Sequence, residues 1–177
     1  DIQLHLVELP PHATQLRGAD ILIRLLDDDQ IKILKATRLI ANHLGPVMAP
    51  VKEVDDLAQA CLHAPRLIPR THTGGWAAWA GQQGISLPRV LERPVAHLHF
   101  ALDAALSGWG AAVLPWVLAA PAVREGRLIA PFGFVEDAAA VCALAGSGPD
   151  TRARRRFMDW LKTQAADLPQ PFLSPRP

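Results

Sequence analysis

The chain of 177 residues is poor in cysteine: Cys61 and Cys142 stand far apart, and neither sits in a CxxC or other metal-ligand spacing. That excludes a disulfide scaffold and a zinc-ribbon pattern, and it points to a reducing, cytoplasmic compartment. No apolar run approaches the roughly 20 residues a membrane helix needs, and no signal-peptide pattern opens the chain, so a soluble domain without membrane contact is expected. There is no GxSxG, no HExxH, no Gly-rich phosphate loop and no cysteine in a catalytic signature. An enzyme is therefore not expected, nor catalytic residues, a cofactor or a metal. A strong charge of either sign is missing too, since 18 basic and 17 acidic residues leave +1. No nucleic-acid footprint follows from that balance, and Arg152, Arg154, Arg155 and Arg156 read as the solvated face of one helix rather than a phosphate site. An initiating Met is also absent: Asp1 opens directly onto the alternating Ile2, Leu4 and Leu6, and an upstream segment is expected.

What is present is a half-apolar sequence in which short strand and helix patterns alternate. Such alternation implies an α/β fold with mostly parallel sheets flanked by helices. Residues 1–9 alternate as a half-buried strand; Pro10 and Pro11 open a short helix closed at Arg17 and Gly18; Ile21, Leu22 and Ile23 form an apolar strand. An acidic turn follows at Asp27, Asp28 and Asp29. Separate apolar pieces come at 37–40 and 45–49, and Asp55 or Asp56 caps a helix through Leu62. A strand at 66–68 runs into Pro69, and a helix carrying Trp76 and Trp79 then extends to about Gln83. Strands at 93–98 and 111–114 alternate with helices at 99–107 and from Pro115 to before Gly126. Residues 128–130 close this stretch. A strand from Ala138 to Leu144 and a helix capped by Thr151 follow, and the proline-rich residues 169–177 are expected to be disordered.

In parallel sheets ligands bind beyond the carboxyl ends of strands, where helix starts direct free N–H groups and positive dipole ends outward. That rule selects Glu8, Pro11, His12 and Thr14 after the first strand, Ala49 and Pro50 after a later one, and Arg70, Thr71, His72, Thr73 and Trp76 after the strand at 66–68. It also selects His97, Leu98, His99 and Phe100. A small anionic ligand is plausible at such a place. Each residue has a plainer reading as well. Thr71 and Thr73 can simply cap the Trp76 helix, His72 can be solvated, and Trp76 and Trp79 are more often core aromatics than ligand platforms. His97 and His99 have the spacing of neighbours on one strand face, but no third metal ligand accompanies them.

The most specific stretch is residues 97–132. It carries Ala101, Leu102, Ala104, Ala105, Gly108 and Gly110 in a helix and its turn, a strand ending at Leu114 and Pro115, then Gly126, Arg127, Leu128, Pro131 and Phe132. This resembles the second lobe of LysR-type transcriptional regulators, and 1–6, 16–24, 45–50 and 157–161 agree with the family's pattern, so the likeness spans roughly 1–168. Trp76 and Trp79 in a WxxW resemble the branch of glycine-cleavage activators and β-lactamase regulators. The resemblance implies a two-lobe fold like that of periplasmic binding proteins, with two crossover strands, here at 68–72 and 141–145, and an effector between the lobes. The lobe boundaries implied are 1–70 and 141–168 for the first lobe and 71–140 for the second. It also implies a homodimer or homotetramer, and operator DNA bound only through an N-terminal winged helix-turn-helix that this chain does not include. The rival reading of the same lobed fold is a periplasmic solute-binding protein of a transporter. The chain departs from the family at His97, Leu98, His99 and Phe100, where many relatives have small polar residues.

Overall fold

The computed structural model describes residues 2–7 and 19–173. The chain forms two compact units, one of Asp1–Asn42 with Asp137–Leu168, the other of His43–Glu136 with Pro169–Pro177. The short helix expected to open at Pro10 and close at Gly18 lies outside the described residues. Residues 2–7, expected as a strand, are exposed and irregular.

In the first unit, β1 (Ile21–Leu26) alternates buried Leu22 and Leu26 with exposed Ile23 and Leu25, as a half-buried strand must. It runs antiparallel to β6 (Val135–Ala145), from Ile21 opposite Ala145 to Leu26 opposite Ala140. The residues expected as an acidic turn are instead the start of α1 (Asp28–Leu34). Asp27 accepts from the Gln30 amide at 2.8 Å, and the Gln30 side chain accepts from the Asp27 amide at 3.2 Å, a reciprocal capping box. Asp28 and Asp29 in the first turn complement the helix dipole. Ile31 and Leu34 of α1 then cover Leu22, Leu26, Cys142 and Leu144.

The unit closes with α6 (Arg152–Ala166), capped as expected by Thr151, which accepts from the Arg154 amide at 3.1 Å. The four arginines near its start are not equivalent. Arg154, with its side chain only 10% exposed, binds Asp150 and the carbonyls of Gly146 and Gly148, tying the preceding loop to the helix. Hydrogen bonds from Arg155 and then Arg154 hold the Asp150 carboxyl below the usual range.

The second unit rests on β2 (Thr37–Val47), whose later half runs antiparallel to β5 (Ala112–Pro115), and on β3 (Arg66–Pro69), parallel to β4 (Glu92–Val95). A parallel bridge from Arg66 to Ala111 joins β3 to β5, with Leu67 N donating to Ala111 O at 2.9 Å. Around these strands lie α2 (Leu57–His63), capped by Asp56, α3 (Gly75–Gln83), α4 (Leu98–Leu106) and α5 (Trp116–Arg124). Both faces of β5 are covered, which is why it reads as an unbroken apolar run. Ala112 and Leu114 face a core with Leu67, Leu128 and Phe134, while Ala111 and Val113 face one with Cys61, Trp76 and Trp79.

Several expectations are revised. The α/β class holds, but the sheets are mixed rather than mostly parallel, because the long strands β2 and β6 return antiparallel to their partners. The pieces expected at 37–40 and 45–49 are one strand of 11 residues, with Asn42 buried and donating to Asp137 at 3.0 Å across to β6. A polar residue that finds a partner inside a sheet does not end a strand. The chain therefore passes between units inside β2, at 42/43, and inside β6, at 136/137, where 68–72 and 141–145 were expected. The stretch 66–69 belongs to the second unit with its partner β4. Residues 169–173, expected to be disordered, are docked: Trp116 Nε1 donates to Pro169 O at 2.6 Å and Phe134 N to Phe172 O at 2.7 Å.

Close backbone packing in β2 gives a direct test. A Cβ on Gly45 would stand 2.3 Å from Gly133 O and 2.8 Å from the Phe134 ring. Gly45→Ala is expected to lose at least the ~1–3 kcal/mol typical of overpacking, read from denaturant midpoints at unchanged slope.

Candidate functional site

Because β3, β4 and β5 run in one direction, their carboxyl ends share one edge of the second unit. The register at that edge is Pro69 opposite Val95, and Arg70 N continues it by donating to Val95 O at 2.9 Å. A helix begins after each strand: α3 after a turn at 70–74, α4 after Ala96, and α5 directly after Pro115. The residues that open them, Gly74, His97 and Pro115, make no side-chain cap bond, and none of the three helices has an acidic residue in its first turn. The edge thus gathers N–H groups and positive dipole ends that, among the described residues, no cap side chain and no first-turn acid compensates.

Arg70, Thr71 and Thr73 stand exposed in the turn after β3. Neither threonine caps α3 by its side chain; the turn is closed by the backbone, His72 N to Pro69 O at 2.9 Å, and Gly74 occupies the cap in a helical conformation. His72 lies with its ring against Gly75, where a Cβ would meet the ring at 2.7 Å, and its Nε2 is buried with no hydrogen-bond partner among the described residues. Arg70 makes no ion pair among the described residues.

His97 is the N-cap of α4 and His99 lies in its first turn, so the two are not strand neighbours as their spacing suggested. The pairing of β4 stops at Val95, where its partner β3 ends, and the chain turns into a helix. Both histidines are exposed, His97 with its ring 6.3 Å from that of exposed Phe100, while Leu98 packs against the core. Among the described residues no group of three potential ligands could hold a metal.

Other nominated residues fall elsewhere. Ala49 and Pro50 follow Val47, which pairs with Ala112 at the opposite end of β5, so they are not on this edge. Trp76 points inward, 4% exposed, under the Arg66 guanidinium at 5.4 Å and edge-on to Trp79 at 6.0 Å. Glu8, Pro11, His12 and Thr14 lie outside the described residues. The start of α5 at Pro115 and Trp116 was not nominated, although proline opening a helix straight after a buried strand was signal enough.

A mixed α/β domain whose parallel strands deliver helix starts to one edge is a fold of the ligand-binding kind. Residues 1–166 match the model of the LysR substrate binding domain. The chain belongs to that family. It is 31% identical over 156 residues to the HTH-type transcriptional regulator TrpI of Pseudomonas aeruginosa, covering 84% of this chain and 52% of that protein, so it spans about half that regulator's length. Among solved structures it is similar to the effector domain of the transcriptional regulator AmpR of Pseudomonas aeruginosa, at TM-score 0.64 and 21% identity over 84% of this chain and 72% of that one. The AmpR effector binding domain of Citrobacter freundii gives TM-score 0.66 and 22% identity over 91% and 80%. The fold is that of these effector domains. These relatives are transcriptional regulators, and the transporter reading is not favoured. No helix among the described residues is long and apolar enough to cross a membrane.

Two predictions follow from buried groups here. Gly75→Ala is expected to push the His72 ring aside while leaving stability within about 1 kcal/mol of the parent, since Ala favours a helix over Gly; the imidazole resonances of His72 would move and those of His97 would not. Burial pushes the Cys61 thiol up to about 12. In the unfolded chain it ionises near ~8.5, so stability is expected to fall as pH rises from about 9 toward 12, by up to ~1.4 kcal/mol per pH unit from this group. Cys61→Ala, compared over the same range in denaturant titrations, should lessen that slope.

Proposed function

We propose that the chain is the effector-sensing part of a LysR-type transcription regulator, and that the carboxyl edge of β3, β4 and β5 receives a small anionic effector. The observation that carries this reading is the set of helix starts at one edge without side-chain caps or first-turn acids. Each dipole favours a bound carboxylate by ~0.3–1 kcal/mol, more where water is excluded. Arg70 supplies a full charge that no ion pair among the described residues compensates, and exposed His97 and His99 supply further donors or acceptors at the rim, while His72 Nε2 is buried beside Gly75. Thr71, Thr73, Leu98 and Phe100 complete the wall.

Binding would act by population shift, favouring one arrangement of the intact regulator over another; a coupling of about 1–3 kcal/mol suffices for a useful response. In that protein a helix-turn-helix head would contact operator DNA, a homodimer or homotetramer would place the heads, and the cytoplasm would be the compartment. The TrpI relationship supports this assignment, because that protein is named as an HTH-type transcriptional regulator.

The test is a thermal-shift screen of small acids against their amides, followed by calorimetry. A ligand at a hundred times its dissociation constant adds ~2.7 kcal/mol. Arg70→Ala is expected to weaken a bound carboxylate about tenfold, equivalent to ~1.4 kcal/mol, while Pro50→Ala leaves affinity unchanged. Equal binding of acids and their neutral amides would remove the basis of the proposal.

A further inference from the structure

The segment after α6 has contacts that the reading above does not use. It leaves the first unit at Leu168 and enters the second at Pro169. There Pro169 O accepts from Trp116 Nε1 at 2.6 Å, Phe172 O accepts from Phe134 N at 2.7 Å, and Leu173 forms a parallel bridge with Phe134. The Phe172 ring meets Trp116 edge-on at 6.1 Å. Trp116 in turn packs on Phe134, 4.9 Å between ring centres, and Phe134 is wholly buried.

The receiving side chains, Trp116 and Phe134, are buried core residues, and the docked segment is not deeply held. Phe172 and Leu173 remain 63% and 67% exposed, and among the described residues the docking contacts include two hydrogen bonds, the bridge from Leu173 to Phe134 and one aromatic edge. Covalent attachment to α6 through Asp167 and Leu168 keeps such a weak contact made by high effective concentration. Its place matters because Trp116 is the first residue of α5, one of the helix starts on the candidate edge.

We propose that residues 169–173 are a regulatory latch: docked on Trp116 and Phe134 they hold the start of α5 in register, and displacement of α6 releases it. The regulatory consequence rests on the effector-edge reading; the docking and its hold on α5 do not. A hinge of this kind needs no new fold, only a strap whose release is easy compared with unfolding the unit.

The full chain is compared with a variant stopped after Leu168 by amide hydrogen exchange. The expected result is at least tenfold faster exchange at Phe134 and at Ala119 and Ala120, the first amides of α5 that have a carbonyl four residues back to bond, with Leu67, which donates to Ala111, unchanged. Unchanged exchange at Phe134 would show that the segment is not docked, and a change at Phe134 without one in α5 would show a mere cover; either overturns the latch. Should the stopped chain fail to fold, Phe172→Ala carries the same measurement, with Trp116→Phe, which removes the N–H donor together with part of a buried ring, as a second variant. In the intact regulator, a reporter gene read without added ligand should change at least twofold on stopping the chain after Leu168. An unchanged reporter with altered exchange would refute the regulatory role and leave the effector edge untouched.

Discussion

Parallel pairing of Arg66–Pro69 with Glu92–Val95, carried on to β5 by the bridge from Arg66 to Ala111, is the constraint on which the second unit depends. Parallel neighbours cannot be joined by a tight hairpin, so each connection must travel the length of the sheet, and here each does so with a helix. The helices then start on one side because the strands end there. Had β3 and β4 been antiparallel, Arg70 and His97 would stand at opposite ends of the pair. The same pairing places Arg66 under cover, where its guanidinium donates to Pro88 O and lies over Trp76. A buried cation is tolerable on such terms, since a carbonyl and an aromatic face replace part of its hydration.

Small residues set how closely these layers approach. Ala101 and Ala105 of α4 and Ala119 and Ala122 of α5 are buried against β3 and β5 side chains such as Leu67 and Leu114. Gly110, at φ 157°, brings its backbone against Pro65, where a Cβ would stand 2.1 Å from the carbonyl. Ala101, Ala105 and Gly110 belong to the alanine and glycine pattern that resembled the family, and their role is to let helices and strands pack without gaps. The residues at the helix starts answer to no such demand. His97, His99 and Phe100 are exposed and can differ between relatives without disturbing the core.

Much of the fold was legible because strand and helix periods rarely competed. Thr151, and Asp56 as one of two candidate aspartates, marked helix starts, since each rests on a local bond: Asp56 accepts from Gln59 N and Thr151 from Arg154 N. Where a distant partner decides, the sequence was silent. Asn42 and His43 look like a strand end until Asp137 is brought alongside Asn42. The prolines of 169–171 look disordered until Trp116 and Phe134 offer a donor each. For the candidate site, a strand-end rule that needs only local pattern nominates Arg70, His72, His97 and His99, and the structure places them after β3 and β4, at the carboxyl ends of parallel strands. Ala49 and Pro50 fall away from that edge because the direction of β2 relative to β5 is a property of the sheet, which no local window contains.

The distribution of aromatic side chains has an optical consequence. The chain has five tryptophans and no tyrosine, so a single kind of chromophore carries its near-ultraviolet absorption and emission. Trp76, Trp79 and Trp116 are buried in the second unit and Trp109 lies on its surface, whereas the first unit holds Trp160 alone. Intrinsic fluorescence is therefore dominated by the unit that bears the candidate edge. Trp116, one of those emitters, is also the residue on which the C-terminal segment closes.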